Sequence, residues 1–424
     1  MENKQLPKNG FVREQIKNKP KNKRKLLAKL AVSALCGAVF AIAFCLVLLL
    51  MHPILQKYGE STEPETETGG TEHTQSESIS EEPTESEDTQ EPGTVIAVPK
   101  PITLEDYQRL QNELYAIGTQ ANRSIVTITS VVSDTDWFDN SYEREGLGSG
   151  TIIGETESAY LILTERKVIT DAERISVTFI DETVAGAELM KYDGNTGLAI
   201  LTVGKSGLNQ MTRNAISVIT QGNSNLVRKG TMVLALGSPL GTNYSILTGN
   251  ITATNNEIST PDCNYSVFTT DIVASQNGSG ILINTAGELV GIVMQGYSAS
   301  SANTLTAVSV AELKPVLDQL LKGQDVPYLG AYVSTVTDTI ANKYGLPKGV
   351  YVKEVVMDSP AMNAGLQSGD VIVELGGKVM ISDRTYLTEL LRLIPGETYP
   401  VVVLRQGSSG YARITCQVEP DVLR

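Results

Sequence analysis

The sequence predicts a mainly β fold, followed by a small α+β module and preceded by one transmembrane helix. Three observations carry this. Between residues 124 and 296, short runs such as SIVTITSVV, AYLILT, LAILTV and TMVLALG are rich in Val, Ile, Leu and Thr. Gly, Asn, Asp and Thr punctuate them at the intervals of an all-β sandwich or a pair of barrels. From Tyr328 four more such runs alternate with two helical stretches within about a hundred residues, a common domain size. Near the N-terminus, residues 30–51 read LAVSALCGAVFAIAFCLVLLLM, with no charge.

The 424 residues suffice for two or three domains. Aromatic content is 5%, so the cores are expected to be built from aliphatic side chains. The net charge of −14 conceals an asymmetry. Residues 1–29 carry ten Lys or Arg against Glu2 and Glu14, whereas residues 58–99 carry twelve acids and no Lys or Arg. The apolar stretch between them is long enough to cross a hydrocarbon core of about 30 Å as a helix. The basic block before it sets residues 1–29 as a cytoplasmic tail and 30–51 as an uncleaved single-pass anchor, with everything after it extracytoplasmic. Its charge is accounted for by orientation and anionic lipid, without nucleic acid. Residues 52–100 are acidic, rich in Ser, Thr and Pro and almost without apolar side chains, so they are expected to form a disordered stalk.

Order is expected from residue 101. LEDYQRLQNELYAIGTQANR has helical spacing, the β-rich runs follow, and VSVAELKPVLDQLLKG closes the segment as a helix near residue 323. The second unit, 324–424, has strands at LGAYVSTV, GVYVKEVV, DVIVELGG and TYPVVVLRQG, with helices near SPAMNAGL and RTYLTELLRLI. Cys36 and Cys45 fall in the anchor, and Cys263 and Cys416 in different domains, so all four read as buried or unpaired thiols.

Several longer motifs occur in a fixed order: GSGTIIG, YLILTERKVITDAERISVTF, YDGNTGLAILTV, VLALGSPLG, TTDIVASQNGSGILINTAGELVGI, YLGA and GVYVKEVVMDSPAMNAGLQSGDVIVELGG. With these, residues 105–424 resemble the HtrA family of membrane-anchored, trypsin-like serine proteases with a C-terminal PDZ domain. The resemblance implies a trypsin-like double β-barrel over 101–323, with a cleft between the barrels, and a PDZ domain over 324–424. It also implies a trimer or mixed oligomer, and it brings no metal and no cofactor.

Such a cleft needs a serine nucleophile, an imidazole base and a carboxylate that orients it. By their flanks, the family's histidine, aspartate and serine positions fall on Lys167 in LTERKVI, Gly197 in DGNTGLAIL and Gly278 in SQNGSGILIN. Gln276 stands where the family has a glycine of the oxyanion loop. Ser279 lies one place beyond the serine position and would be the nucleophile if the turn had lost a residue. The whole chain has two histidines, His52 and His73, and none in residues 101–424. A Ser-His-Asp triad within the folded part is therefore excluded by inventory. A Ser279–Lys167 dyad would need a desolvated lysine, and the neighbouring Glu165 and Arg166 suggest a solvated turn instead.

The PDZ resemblance points to Tyr328, Leu329, Gly330 and Ala331 as the loop whose backbone N–H groups hold a peptide's terminal carboxylate. The strand after that loop would pair with the peptide. The reading that follows is a membrane-anchored protease homologue without proteolytic activity, which binds peptide C-termini or unfolded segments or regulates an active relative. Two others stay open: a serine endopeptidase acting in protein quality control through Ser279 and Lys167, and a structural scaffold on a stalk.

Overall fold

In a computed structural model of the chain, the structure describes residues 102–135, 141–298 and 303–423. The tail, anchor and stalk expected at 1–100 lie outside the described residues. Among the described residues no helix is long and apolar enough to cross a membrane.

The first helix, α1 (Leu104–Ala121), begins at a capping box. The Thr103 side chain accepts the Asp106 N–H while the Asp106 carboxylate accepts the Thr103 N–H. Such a cap stabilises a helix start by about 1 kcal/mol. Leu114, Gly118 and Ala121 form its buried face.

Six strands follow: β1 (Ile125–Thr135), β2 (Ser141–Glu155), β3 (Ala159–Glu165), β4 (Arg174–Thr178), β5 (Val184–Tyr192) and β6 (Leu198–Gly204). They close a barrel in the order β1-β2-β3-β6-β5-β4. A short helix α2 (Gln210–Ala215) leads to a second closed barrel. Its strands are β7 (Met232–Ser238), β8 (Ser245–Thr260), β9 (Cys263–Val273), β10 (Ser279–Ile283), β11 (Leu289–Met294) and β12 (Thr304–Ser309), ordered β10-β11-β12-β9-β8-β7. The expected pair of barrels is thus present.

Each barrel has its own aliphatic filling. Val126, Ile128, Ile162 and Leu201 fill the first, and Val233, Phe268, Leu282 and Leu305 fill the second. A third cluster lies between the barrels and helix α3 (Val310–Leu321) and includes Leu163, Leu198, Ile281, Val316 and Leu320. This explains why β3 and β6 read as unbroken apolar runs rather than as alternation: one face lines the barrel and the other meets that shared core.

The C-terminal module is an antiparallel sheet ordered β14 (Ala331–Thr335), β15 (Val350–Val355), β16 (Val371–Leu375), β18 (Tyr399–Gly407) and β19 (Gly410–Val418), with β17 (Lys378–Val379) on β16. A second pairing joins β13 (Pro327–Tyr328) to β20 (Asp421–Val422). Three helices pack here: α4 (Asp338–Tyr344), α5 (Pro360–Asn363) and α6 (Asp383–Leu390). The sequence reading had placed two of them. It missed α4, whose Thr337 cap and left-handed Gly345 are both visible in the sequence, because none of its residues is buried and it carries no apolar stripe. Barrels and module belong to one compact unit.

Candidate functional site: the inter-barrel cleft and the carboxylate loop

The barrels face each other across Ser149 and Thr151 of β2, Thr164 and Glu165 of β3, Leu198 of β6 and Ser279–Ile281 of β10. The space between them is about 20 Å³, room for about one water. Ser279, 5% exposed, sits here at the start of β10, and its Oγ accepts the Ser149 N–H at 3.3 Å.

Lys167 lies on the single turn after β3. Its ammonium is 2.7 Å from the Glu165 carboxylate, the only ion pair found for it among the described residues. The sequence suggested a solvated turn, and for Glu165 this is corrected. Its side chain is 15% exposed, and burial pushes its carboxyl up, with Lys167 pulling it back. The reason is local: Glu165 ends β3, whose preceding five residues are all buried, so the carboxylate stays under the barrel wall. Arg166 stacks its guanidinium over the Tyr192 ring at 3.9 Å.

Gly197 adopts φ +72°, which disfavours a side chain. Its carbonyl accepts the Arg166 N–H at 2.7 Å and its N–H donates to the Asp193 carbonyl at 2.9 Å. Asp193, the acid nearest this position in the loop, is fully committed. Its carboxylate accepts the Asn195 N–H, the Thr196 N–H and the Thr196 hydroxyl, and burial pushes its carboxyl up against those bonds. The Gly278 N–H donates to the Ser275 carbonyl at 3.0 Å, and the Ser275 N–H donates to the Pro239 carbonyl at 2.9 Å. Gln295, unnoticed in the sequence, pins the same loop: its amide donates to the Ser275 carbonyl and accepts the Thr306 N–H.

The loop 328–331 lies at the head of β14, as the resemblance implied. Its carbonyls are tied inward: that of Leu329 accepts the Ala361 N–H and that of Gly330 accepts the Val356 N–H, both at 2.8 Å. Those bonds turn the neighbouring N–H groups the other way. Gly330 has φ +84°, and a side chain there would overlap Ser359 and the Tyr328 hydroxyl.

The outward N–H groups meet a carboxylate that the sequence reading did not single out. Asp262 Oδ2 accepts the N–H of Leu329 and of Gly330, each at 2.8 Å, and Oδ1 accepts the Ala331 N–H at 3.2 Å and the Tyr386 hydroxyl at 2.7 Å. The Asp262 N–H donates to the Ala331 carbonyl at 2.7 Å. Burial pushes the Asp262 carboxyl up, and the four donors pull it back. Asp262 belongs to the two-residue turn Pro261–Asp262 that joins β8 to β9. Proline cannot take a positive φ, so Asp262 takes it, at +65°. An Asp at a place that suits Gly or Asn was the one sequence signal available.

A barrel pair with this cleft, followed by a sheet with this loop, defines a trypsin-like peptidase domain joined to a PDZ domain. Residues 148–292 match the family model for the trypsin-like peptidase domain, and residues 327–415 match the model for the PDZ domain. The chain belongs to the HtrA family.

A relative in Pseudomonas fulva (strain 12-X), described as a probable periplasmic serine endoprotease, DegP-like, is 33% identical over 288 residues, 66% of this chain and 57% of its own. Serine protease Do-like HtrB of Bacillus subtilis (strain 168) is 34% identical over 281 residues, 62% of this chain and 60% of its own. The chain thus spans under two thirds of the length of these relatives. Among solved structures, HtrA-type protease AlgW with a decapeptide matches at 25% identity and a TM-score of 0.50, covering 73% of this chain and 98% of that one. The same protease with a tripeptide matches at 26% and 0.50, covering 73% and 97%.

Proposed function

We propose that this chain is an extracytoplasmic, membrane-anchored HtrA-family protein. In this reading its trypsin-like domain does not cleave peptide bonds, and its PDZ module receives peptide C-termini. The observation that carries the first part is the absence of any histidine in residues 101–424, joined to the occupation of what remains. Lys167 is held by Glu165 rather than by Ser279, and the Ser279 hydroxyl is held by a backbone N–H. A lysine serves as a base when it is desolvated and neutral; this one is half-exposed and ion-paired.

The Gly278 N–H, at the serine position, is spent on the Ser275 carbonyl. An oxyanion donor must instead face the position where charge develops in the transition state.

The second part is supported by the matched PDZ domain and by the peptides bound to the related AlgW. It is also supported by the three convergent N–H groups of 329–331, which already hold a carboxylate. Residues 30–51 would anchor the chain, with the folded domains outside the membrane.

Full-length protein in detergent micelles, incubated with unfolded casein and with a fluorophosphonate probe, tests the first part. We expect no fragments and no labelling. Labelling that disappears in Ser279→Ala would make Ser279 a working nucleophile and end this reading.

A further inference from the structure

The N–H groups of residues 329–331 are already taken by a carboxylate of the same chain. A ligand C-terminus bound at such a loop presents a carboxylate to the loop's N–H groups and lends its backbone to the adjoining strand. Asp262 does both: its carboxylate takes the N–H groups of Leu329, Gly330 and Ala331, and its own N–H donates to the Ala331 carbonyl. Two residues on, the Asn264 side chain donates to the Val333 carbonyl at 3.1 Å and to Asp383 at 2.9 Å, the residue that opens α6. The turn therefore lies along β14 and reaches α6, the two elements that would form the walls of the groove.

The contact is sealed. Asp262 is 3% exposed, and Leu387 of α6 and Leu391 at its end belong to the same core cluster as Cys263, Tyr265 and Val316. A non-glycine residue in the left-handed region is uncommon and tends to persist where its surroundings hold it. Here the surroundings are four hydrogen-bond donors on one carboxylate.

We propose that the 260–264 turn is an internal ligand of the PDZ carboxylate loop, and that an external peptide C-terminus binds only by displacing Asp262. This rests on the reading of 328–331 as a carboxylate receptor. A receptor competent in a fraction of its molecules binds with an affinity reduced by that fraction. Freeing the loop should therefore tighten peptide binding without adding a contact.

The test uses the full-length chain in micelles, a labelled Ala-rich peptide ending in Val with a free carboxylate, and its C-terminal amide. Asp262→Ala should bind the acid roughly tenfold or more tightly than the wild type, with the amide weak for both. Asp262→Asn keeps the volume of the side chain and should move in the same direction. Hydrogen–deuterium exchange gives a reading without peptide. The amides of 329–331 should be protected in the wild type, exchange faster in Asp262→Ala, and regain protection when the acid peptide is added to that variant. Acid-selective binding of equal strength in all three proteins, or unprotected loop amides in the wild type, would overturn the internal ligand while leaving the receptor reading standing. Equal binding of acid and amide, or no binding by either variant, would remove the receptor reading and this inference with it.

Discussion

The Lys167 ammonium rests 2.7 Å from the Glu165 carboxylate, on the turn that follows β3. The pair is asymmetric: the carboxylate is nearly buried and the ammonium is half in water. Lys167→Met should therefore cost about 1 kcal/mol, between the values for exposed and buried pairs. The cost falls on the acid left behind. Burial already holds the Glu165 carboxyl above its ordinary value, and losing Lys167 raises it further. A raised acid binds its proton more tightly when folded, so the folded protein gains stability as pH falls through that raised value. The variant's deficit in melting temperature should thus be larger at pH 8 than at pH 5. An equal deficit at both would mean that Glu165 does not depend on the lysine.

Restoring the three side chains should not restore proteolysis. Lys167→His is tolerable at a half-exposed site, but the other two changes meet the backbone. Asp at 197 must adopt φ +72°, at a cost of roughly 1–2 kcal/mol. A Cβ at 278 would stand 2.5 Å from the Pro239 carbonyl oxygen and 3.0 Å from that of Ser275. The loop would have to move, and as it stands its Gly278 N–H donates to the Ser275 carbonyl rather than facing an oxyanion. One lost oxyanion donor alone costs about 10²–10³ in rate. Lys167→His/Gly197→Asp/Gly278→Ser assayed on unfolded casein should stay at background. Ready turnover would show that the loop has kept a working conformation.

The barrels were legible because their strands announce themselves. SIVTITSVV and LAILTV bury aliphatic side chains, and Gly and Asn mark the turns between strands. Strands β5, β12 and β19 went unseen: no residue of β5 is fully buried and only Val418 of β19 is, while β12 runs directly into α3 and its end was read as part of that helix. Lys167, Gly197 and Gly278 could be proposed as the triad positions from their flanks. What those residues touch could not: Glu165 looked like a surface acid, and nothing local to Asp262 indicates partners 67 to 69 residues further along the chain. Burial and pairing of a polar group are decided by packing between elements, which periodicity does not report.

Within the PDZ module the most exposed weakness is Arg405. It donates through Nε and Nη2 to both oxygens of Asp370, at 2.7 and 2.8 Å, and Asp370 is completely buried. Removing the cation leaves a buried charge whose remaining partner is the Gln367 N–H. Arg405→Ala should lose about 3–5 kcal/mol, the range for a broken buried pair. The double change Arg405→Ala/Asp370→Ala should lose less than the sum of the two single changes, because no charge is stranded. Melting curves of the four proteins give the coupling directly; strict additivity would mean the pair is energetically idle. By contrast, Gly330→Val is a poor probe of peptide binding, since its side chain would collide with Ser359 and distort the loop itself.

Cys263 offers a reporter for the junction because it follows Asp262 in the turn. It is a free thiol, 7% exposed, and burial pushes it up to about 12. The thiolate is the reacting species, so both access and ionisation protect it while the turn is docked. Cys416, free and only partly buried, serves as an internal comparison. In the folded wild type, iodoacetamide should modify Cys416 well before Cys263. If a peptide C-terminus displaces Asp262, the turn leaves the groove and Cys263 gains both water and a lower pKa. Saturating acid peptide should then accelerate modification of Cys263, the amide should not, and Asp262→Ala should react quickly with no peptide at all. Mass spectrometry of the two tryptic fragments resolves the sites. A Cys263 rate unchanged by the acid peptide, under conditions where binding is measured, would mean that the peptide docks without moving the turn.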